Sequence, residues 1–251
     1  DASYLLDDID AEDPETAASG VRQRLGLTPD CPVVDLVAQV ERAGIKLLQS
    51  KSRLDRYNGL SVSDADGGPA IGVNTDDTIP VERQIFSTAH EIGHLVLHRD
   101  SYDGAEREED DQEEKEANCF AAYFLMPAEA FDRVWNENRG LHFVDGVMKV
   151  KRHFQVSYQT VLRRLIDRGE ADGEIWRVFP ILYKRRYNRE LSRKKEPIPL
   201  APPDFEEDRL DKLVRDALEK ERISLDRAAE ILDIDLAAMR ERVRSWQKVA
   251  G

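Results

Sequence analysis

The chain has 251 residues, 41% of them hydrophobic and 35% charged, with a formal net charge of −13. That length suits one large domain or two modest ones, and the acidic balance excludes a protein whose whole surface grips nucleic acid. No apolar run approaches the roughly 20 residues that span a bilayer, the opening DASYLLDDID lacks a basic-then-apolar leader, and Cys31 and Cys119 alone make no disulfide framework, so a cytoplasmic protein is the simplest reading.

Taken in chain order, DPETAASGVRQRLGL (13–27) reads as a helix capped by Asp13 with Pro14 in its first turn. Residues 32–49 read as a helix ending near Gly44 and then a short strand. YNGLSVS and PAIGVN are two strands separated by the turn signal DADGG, and the second is a candidate sheet edge. IPVERQIFSTAHEIGHLVLH (79–98) has apolar residues at helical spacing and forms one long helix. An acidic loop follows, then a helix over 112–127 closed by Pro127. Further helices start after Pro127 and cover about 143–155 and 157–168. After Gly173 the composition shifts. EIWRVFPILY fits a strand or a buried helix, 196–208 is a proline-rich linker, and the tail over 205–248 returns to helix. Two charge blocks stand out. KRRYNRELSRKK (184–195) has seven Lys/Arg and one Glu, and residues 106–116 have eight acids and two bases.

The chemistry sits in HEIGHLVLH (90–98). On a helix, positions four apart share a face, so His90 and His94 can present two imidazoles to one zinc ion. Glu91 falls about 100° around from His90, within reach of a water at that ion. A chance HExxH in such a chain is on the order of one in a hundred. Catalytic zinc takes three protein ligands and keeps a position for water. The next helix supplies the third from EEKEANCFAA. Glu114 and Asn118 are four apart, which makes Glu114 the economical ligand and Asn118 the residue that orients a histidine. Glu113 and Glu116 are adjacent rivals. His98 is a supporting residue rather than a ligand. His142 and His153 are structural or exposed. Tyr102, His98, Tyr123 and Tyr158 are candidate donors to an oxyanion.

FSTAHEIGHLVLH followed by EEKEANCFAAYFLMP resembles the ImmA/IrrE metallopeptidase family, whose pattern is an AHExGHxxLH helix and then an ExxAN-x-FAA-x-LLMP helix. The resemblance runs from about Pro32 to Gly169. Phe124 stands where the family usually has Leu. It implies an α+β, zincin-like metallopeptidase domain, mainly helical with a small sheet, over residues 1–172. A smaller C-terminal regulatory domain or extension would then cover 173–251. It also implies zinc on His90, His94 and Glu114, Glu91 as general base, and a helix-turn-helix repressor as substrate. Cutting that repressor would induce a stress, mobile-element or phage-defence programme. The competing reading is a nucleic-acid-binding regulator with a structural zinc site.

Two regulatory ideas follow from the residues outside that set. A thiolate is a good fourth zinc ligand, so Cys31 or Cys119 is a candidate inhibitory latch. The basic stretch, with Arg185, Arg186 and Arg189 for phosphates and Tyr183 and Tyr187 for bases, suits single-stranded DNA as an activator and a response to DNA damage.

Overall fold

The structure is a computed structural model. It describes residues 5–249 apart from 7, 10–12, 34, 53–57, 64–66, 100–109, 192–195, 201–212, 215, 216 and 219. The contacts divide the chain into two compact units, Asp1–Phe205 and Glu206–Gly251.

The first unit begins with α1 (Pro14–Arg24), whose first N–H groups are capped by the Asp13 carboxylate. Helix α2 (Leu36–Arg42) leads into β1 (Lys46–Ser50), and β2 (Gly59–Val62) and β3 (Ala70–Asn74) complete the sheet. Its order is β1-β3-β2, with β1 parallel and β2 antiparallel to β3. The strand PAIGVN is therefore central and not an edge. It is hydrogen-bonded on both sides, and Ile71 and Val73 are fully buried. The outer strands are β1 and β2, where Leu48 and Leu60 face solvent.

Helix α3 (Val81–Leu97) packs on β2, β3 and α4 (Asp111–Leu125). Gly93 sets the α3–α4 approach. A Cβ there would lie 3.1 Å from Phe120 and 3.2 Å from the Ala117 backbone, so only glycine against alanine lets the two helices meet this closely. Arginines take the carbonyls at the end of α4. Arg22 donates to Phe124 O at 2.7 Å and Arg164 donates to Met126 O, both from buried positions. These cations satisfy carbonyls that the helix leaves without partners and complement its dipole.

Beyond Pro127 come α5 (Ala128–Glu137), α6 (Phe143–Phe154), α7 (Tyr158–Asp167) and α8 (Ile175–Tyr187). EIWRVFPILY is thus helical, with Pro180 inside α8. Phe179 and Tyr183 sit in the core of the first unit, so the contacts divide at Phe205 and not at Gly173, where the composition shifts.

The described part of the proline-rich segment is pinned. Lys151 donates to Glu82 at 2.6 Å and Ile198 O at 3.3 Å, and lies 3.3 Å from Glu196. Leu200 N–H donates to Glu82 at 3.0 Å, and Tyr158 N–H to Glu196 at 2.8 Å. Residues 201–208 lie outside the described residues.

The second unit holds α9 (Leu225–Ile231), capped by Ser224, and α10 (Leu236–Val249) around a small core of Val214, Ala228, Ala229 and Met239. Among the described residues no helix is long and apolar enough to cross a membrane.

Candidate metal centre

Two turns of α3 carry His90 and His94, and the first turns of α4 carry Glu114. The acidic stretch is therefore helical from Asp111 onward, while residues 100–109, with Tyr102, lie outside the described residues. Because α3 and α4 close on Gly93 and Ala117, the three side chains converge. His90 Nε2 and His94 Nε2 are 3.0 Å apart, Glu114 Oε1 lies 3.1 Å from His94 Nε2, and Glu114 Oε2 lies 3.4 Å from His90 Nε2. Tetrahedral zinc with bonds of about 2.0–2.1 Å places neighbouring donors about 3.3 Å apart. The observed edges fit a single ion of that size.

The protonation states suit a cation as well. Burial holds the His90 and His94 imidazoles below the ordinary histidine value, with Glu114 opposing that shift. A neutral imidazole keeps the lone pair that a metal needs. Among the described residues, this is the only group of three or more His, Cys, Asp or Glu side chains whose donor atoms converge this closely. Glu113 and Glu116 are not members.

The partners of the ligand residues are set by the same two helices. Asn118 hydrogen-bonds His90 and donates to Glu114 O at 2.7 Å. His94 Nδ1 lies 3.0 Å from His98 Nδ1, and His98 Nε2 lies 3.0 Å from Glu116 Oε2. With His94 Nε2 turned to the centre, one tautomer runs through the chain. His94 Nδ1–H donates to His98, and His98 Nε2–H donates to Glu116. Glu116 is held in turn by Gln112 at 2.8 Å. The Gln112 and His98 hydrogen bonds keep its carboxyl below the usual range. Removing such a support commonly weakens metal affinity by about 10–100-fold. His98→Ala is expected to show a loss of that size by competition with a chromogenic chelator, and an unchanged affinity would remove His98 from this role.

Glu91 meets the sheet. Its Oε2 accepts from Ser61 Oγ of β2 at 2.6 Å. A Cβ on Gly59 would stand 2.9 Å from its Oε1. Burial pushes this carboxyl up to about 7, against the Ser61 hydrogen bond. A group that titrates near neutrality is suited to take and return a proton. Neither Ser61 nor Gly59 carries a motif, so the sequence gives no sign of this contact.

Other candidates fall elsewhere. Cys31 and Cys119 are free and exposed, and neither joins the ligand group. The Tyr123 ring lies under the Arg164 guanidinium at 3.9 Å, and Tyr158 is in the core. His142 caps α6 through Val144 N–H, and His153 packs edge-on against Phe154. Base stacking by Tyr183 and Tyr187 is not supported. Tyr183 is buried, and the Tyr187 hydroxyl donates to Asp145 at 2.8 Å. Arg186 pairs with the same Asp145 at 2.7 Å, while Arg185 and Arg189 are exposed. Residues 192–195 lie outside the described residues.

Comparison with known proteins gives a consistent picture. The family model described as the IrrE N-terminal-like domain, a peptidase family, matches residues 40–166. No curated protein matches the chain. Among solved structures, a Mycobacterium tuberculosis transcriptional regulator is similar, with 21% identity and a TM-score of 0.44 over 62% of this chain and 47% of that one. The chain spans about half the length of that regulator.

Proposed function

Since the chain belongs to the IrrE N-terminal-like peptidase family, whose model covers residues 40–166, we propose that it is a zinc-dependent endopeptidase acting on a helix-turn-helix transcriptional repressor. The observation that carries this reading is the placement of Glu91, a buried carboxyl titrating near 7, next in the chain to His90 and within the field of Glu114 of a His90–His94–Glu114 donor set. A structural zinc site is closed by four protein ligands and has no use for such a base. Here three donors converge among the described residues, which leaves a position for a reactant.

Zinc, when bound, would polarise a scissile carbonyl and lower the pKa of a water. Glu91 would accept the proton of the attacking water at its carboxylate and then return it to the leaving amine. Ser61 would hold that carboxylate in one orientation while it changes charge. Strand β2 borders this carboxyl and carries no further strand on its outer side among the described residues. An extended peptide would add to that edge through backbone hydrogen bonds.

Two variants test the assignments. Glu114→Ala should lose tight zinc binding, and full metal occupancy in that variant would move the ligand to Glu113 or Glu116. Gly59→Ala should keep the metal and lower cleavage by about tenfold or more, because the new methyl occupies the place of the flexible Glu91 carboxylate. Unchanged cleavage there would separate β2 from the positioning of the base.

Residues 173–251 would serve control in this scheme. Among the described residues of the basic stretch, Arg185 and Arg189 are the cations left to follow a phosphate backbone. Charge reversal at both should weaken single-stranded oligonucleotide binding in a salt-dependent way, and binding that survives the reversal would remove nucleic acid as the signal.

A further inference from the structure

A cavity of 560 Å³ is lined in part by Phe86, Lys115, Asn118, Ala122, Arg163 and Trp176. Two of these residues tie it to the centre. Phe86 lies four residues before His90, on the same face of α3, and Asn118 hydrogen-bonds the His90 ring. One helical turn rises about 5.4 Å, and successive residues of a peptide are about 3.8 Å apart. A side chain entering this cavity therefore belongs to a residue at or next to the bond held at the centre.

We propose that this cavity is a specificity subsite for a residue flanking the scissile bond, and that it takes a large apolar, preferentially aromatic, side chain. The proposal rests on the peptidase reading and names a feature of its substrate. The walls supply the chemistry. Phe86, Ala122 and Trp176 present apolar surface, and Trp176 is 41% exposed, while the other described large aromatic residues of this unit are buried or half-buried. Lys115, Arg163 and Arg164 stand on the lining as cations against one carboxylate, Asp167, which pairs with Arg163 at 3.0 Å. They disfavour a lysine or arginine side chain and favour the face of an aromatic ring. Ala122 is the smallest side chain on the lining, so a larger residue there would reduce the space.

The test uses two neutral zinc-binding probes, 3-phenylpropanohydroxamic acid and acetohydroxamic acid, on the zinc-loaded full chain. The second carries only a methyl group and reports the open metal position. The first adds a phenyl ring that reaches the cavity. The wild-type chain should bind the phenyl probe about tenfold more tightly or better, as burial of a phenyl group predicts. That ratio should fall toward one in Ala122→Trp, which fills the cavity, and in Trp176→Ala, which removes a wall. A wild-type ratio near one, or a ratio that survives both variants, would overturn the subsite while leaving the metal centre in place. Failure of acetohydroxamic acid to bind the zinc-loaded wild type would instead remove the open metal position, and the subsite with it.

Discussion

Glu91→Gln is expected to keep its zinc and to lose cleavage by about two to four orders of magnitude, the usual contribution of a positioned general base. The amide has nearly the same shape as the protonated carboxyl and can still meet Ser61, but it cannot accept a proton. The same variant should show a second signature in the metal-free chain. The Glu91 carboxyl ordinarily titrates near 4.5 and is raised to about 7 in the fold. A raised carboxyl contributes stability that is fully present below its unfolded value and lost as pH rises through its folded value. Wild type and Glu91→Gln should therefore be similarly stable near pH 4. The variant should gain on wild type between about 4.5 and 7, to a difference of about 3 kcal/mol at roughly 1.4 kcal/mol per pH unit. The burial of this side chain justifies using the full amount, since it is only 8% exposed. Denaturant unfolding of both proteins across that range measures it. A constant difference across the range would show that burial does not raise the carboxyl. Substantial cleavage by the variant would end the general-base assignment.

Lys151→Met is expected to cost about 3–5 kcal/mol of stability, the penalty for leaving a buried charge without its partner. Glu82 is fully buried, Lys151 is 3% exposed, and both Glu82 and Glu196 face the same ammonium. Methionine keeps much of the volume of the lysine stem, so the loss reads the charge and not a cavity. Burial already raises the Glu196 carboxyl against the pull of Lys151, so without that ammonium Glu196 would favour its protonated form further. The deficit should therefore shrink in acid. Because Glu82 sits in the first turn of α3 and also accepts the Leu200 N–H, the variant should free residues 196–200 to exchange their amide protons faster. A deficit below about 1 kcal/mol, with unchanged exchange at Leu200, would show that the network does not hold this segment.

What could be read from the sequence follows the range of the interactions. His90, Glu91 and His94 need only a helix, and the apolar spacing of 79–98 supplies it. The Glu114–Asn118 spacing favours Glu114 over its neighbours, and Gly93 opposite Ala117 is the reason that the two helices come close enough. The Glu116–His98–His94 chain was hidden because it depends on the register between α3 and α4, which spacing within one helix does not give. Ser61 lies 30 positions from Glu91, and Glu82 lies 69 positions from Lys151; no local pattern marks either pair. The order β1-β3-β2 is also a tertiary outcome. PAIGVN and GLSV alternate too briefly to say which strand takes the edge. Tyr183 was misread for a similar reason. A tyrosine beside a basic run looks exposed until the helix that carries it is seen to turn Phe179 and Tyr183 together into the core.

The account stands or falls on whether the zinc-loaded chain cuts peptide bonds. The direct measurement is to incubate a whole-proteome peptide mixture with zinc-loaded wild type, metal-free wild type and zinc-loaded Glu91→Gln, and to identify new N-termini by mass spectrometry. The expected result is a set of new termini made by the zinc-loaded wild type alone, with large apolar residues enriched beside the cut. No new termini from the zinc-loaded wild type, or the same termini from Glu91→Gln, would contradict it.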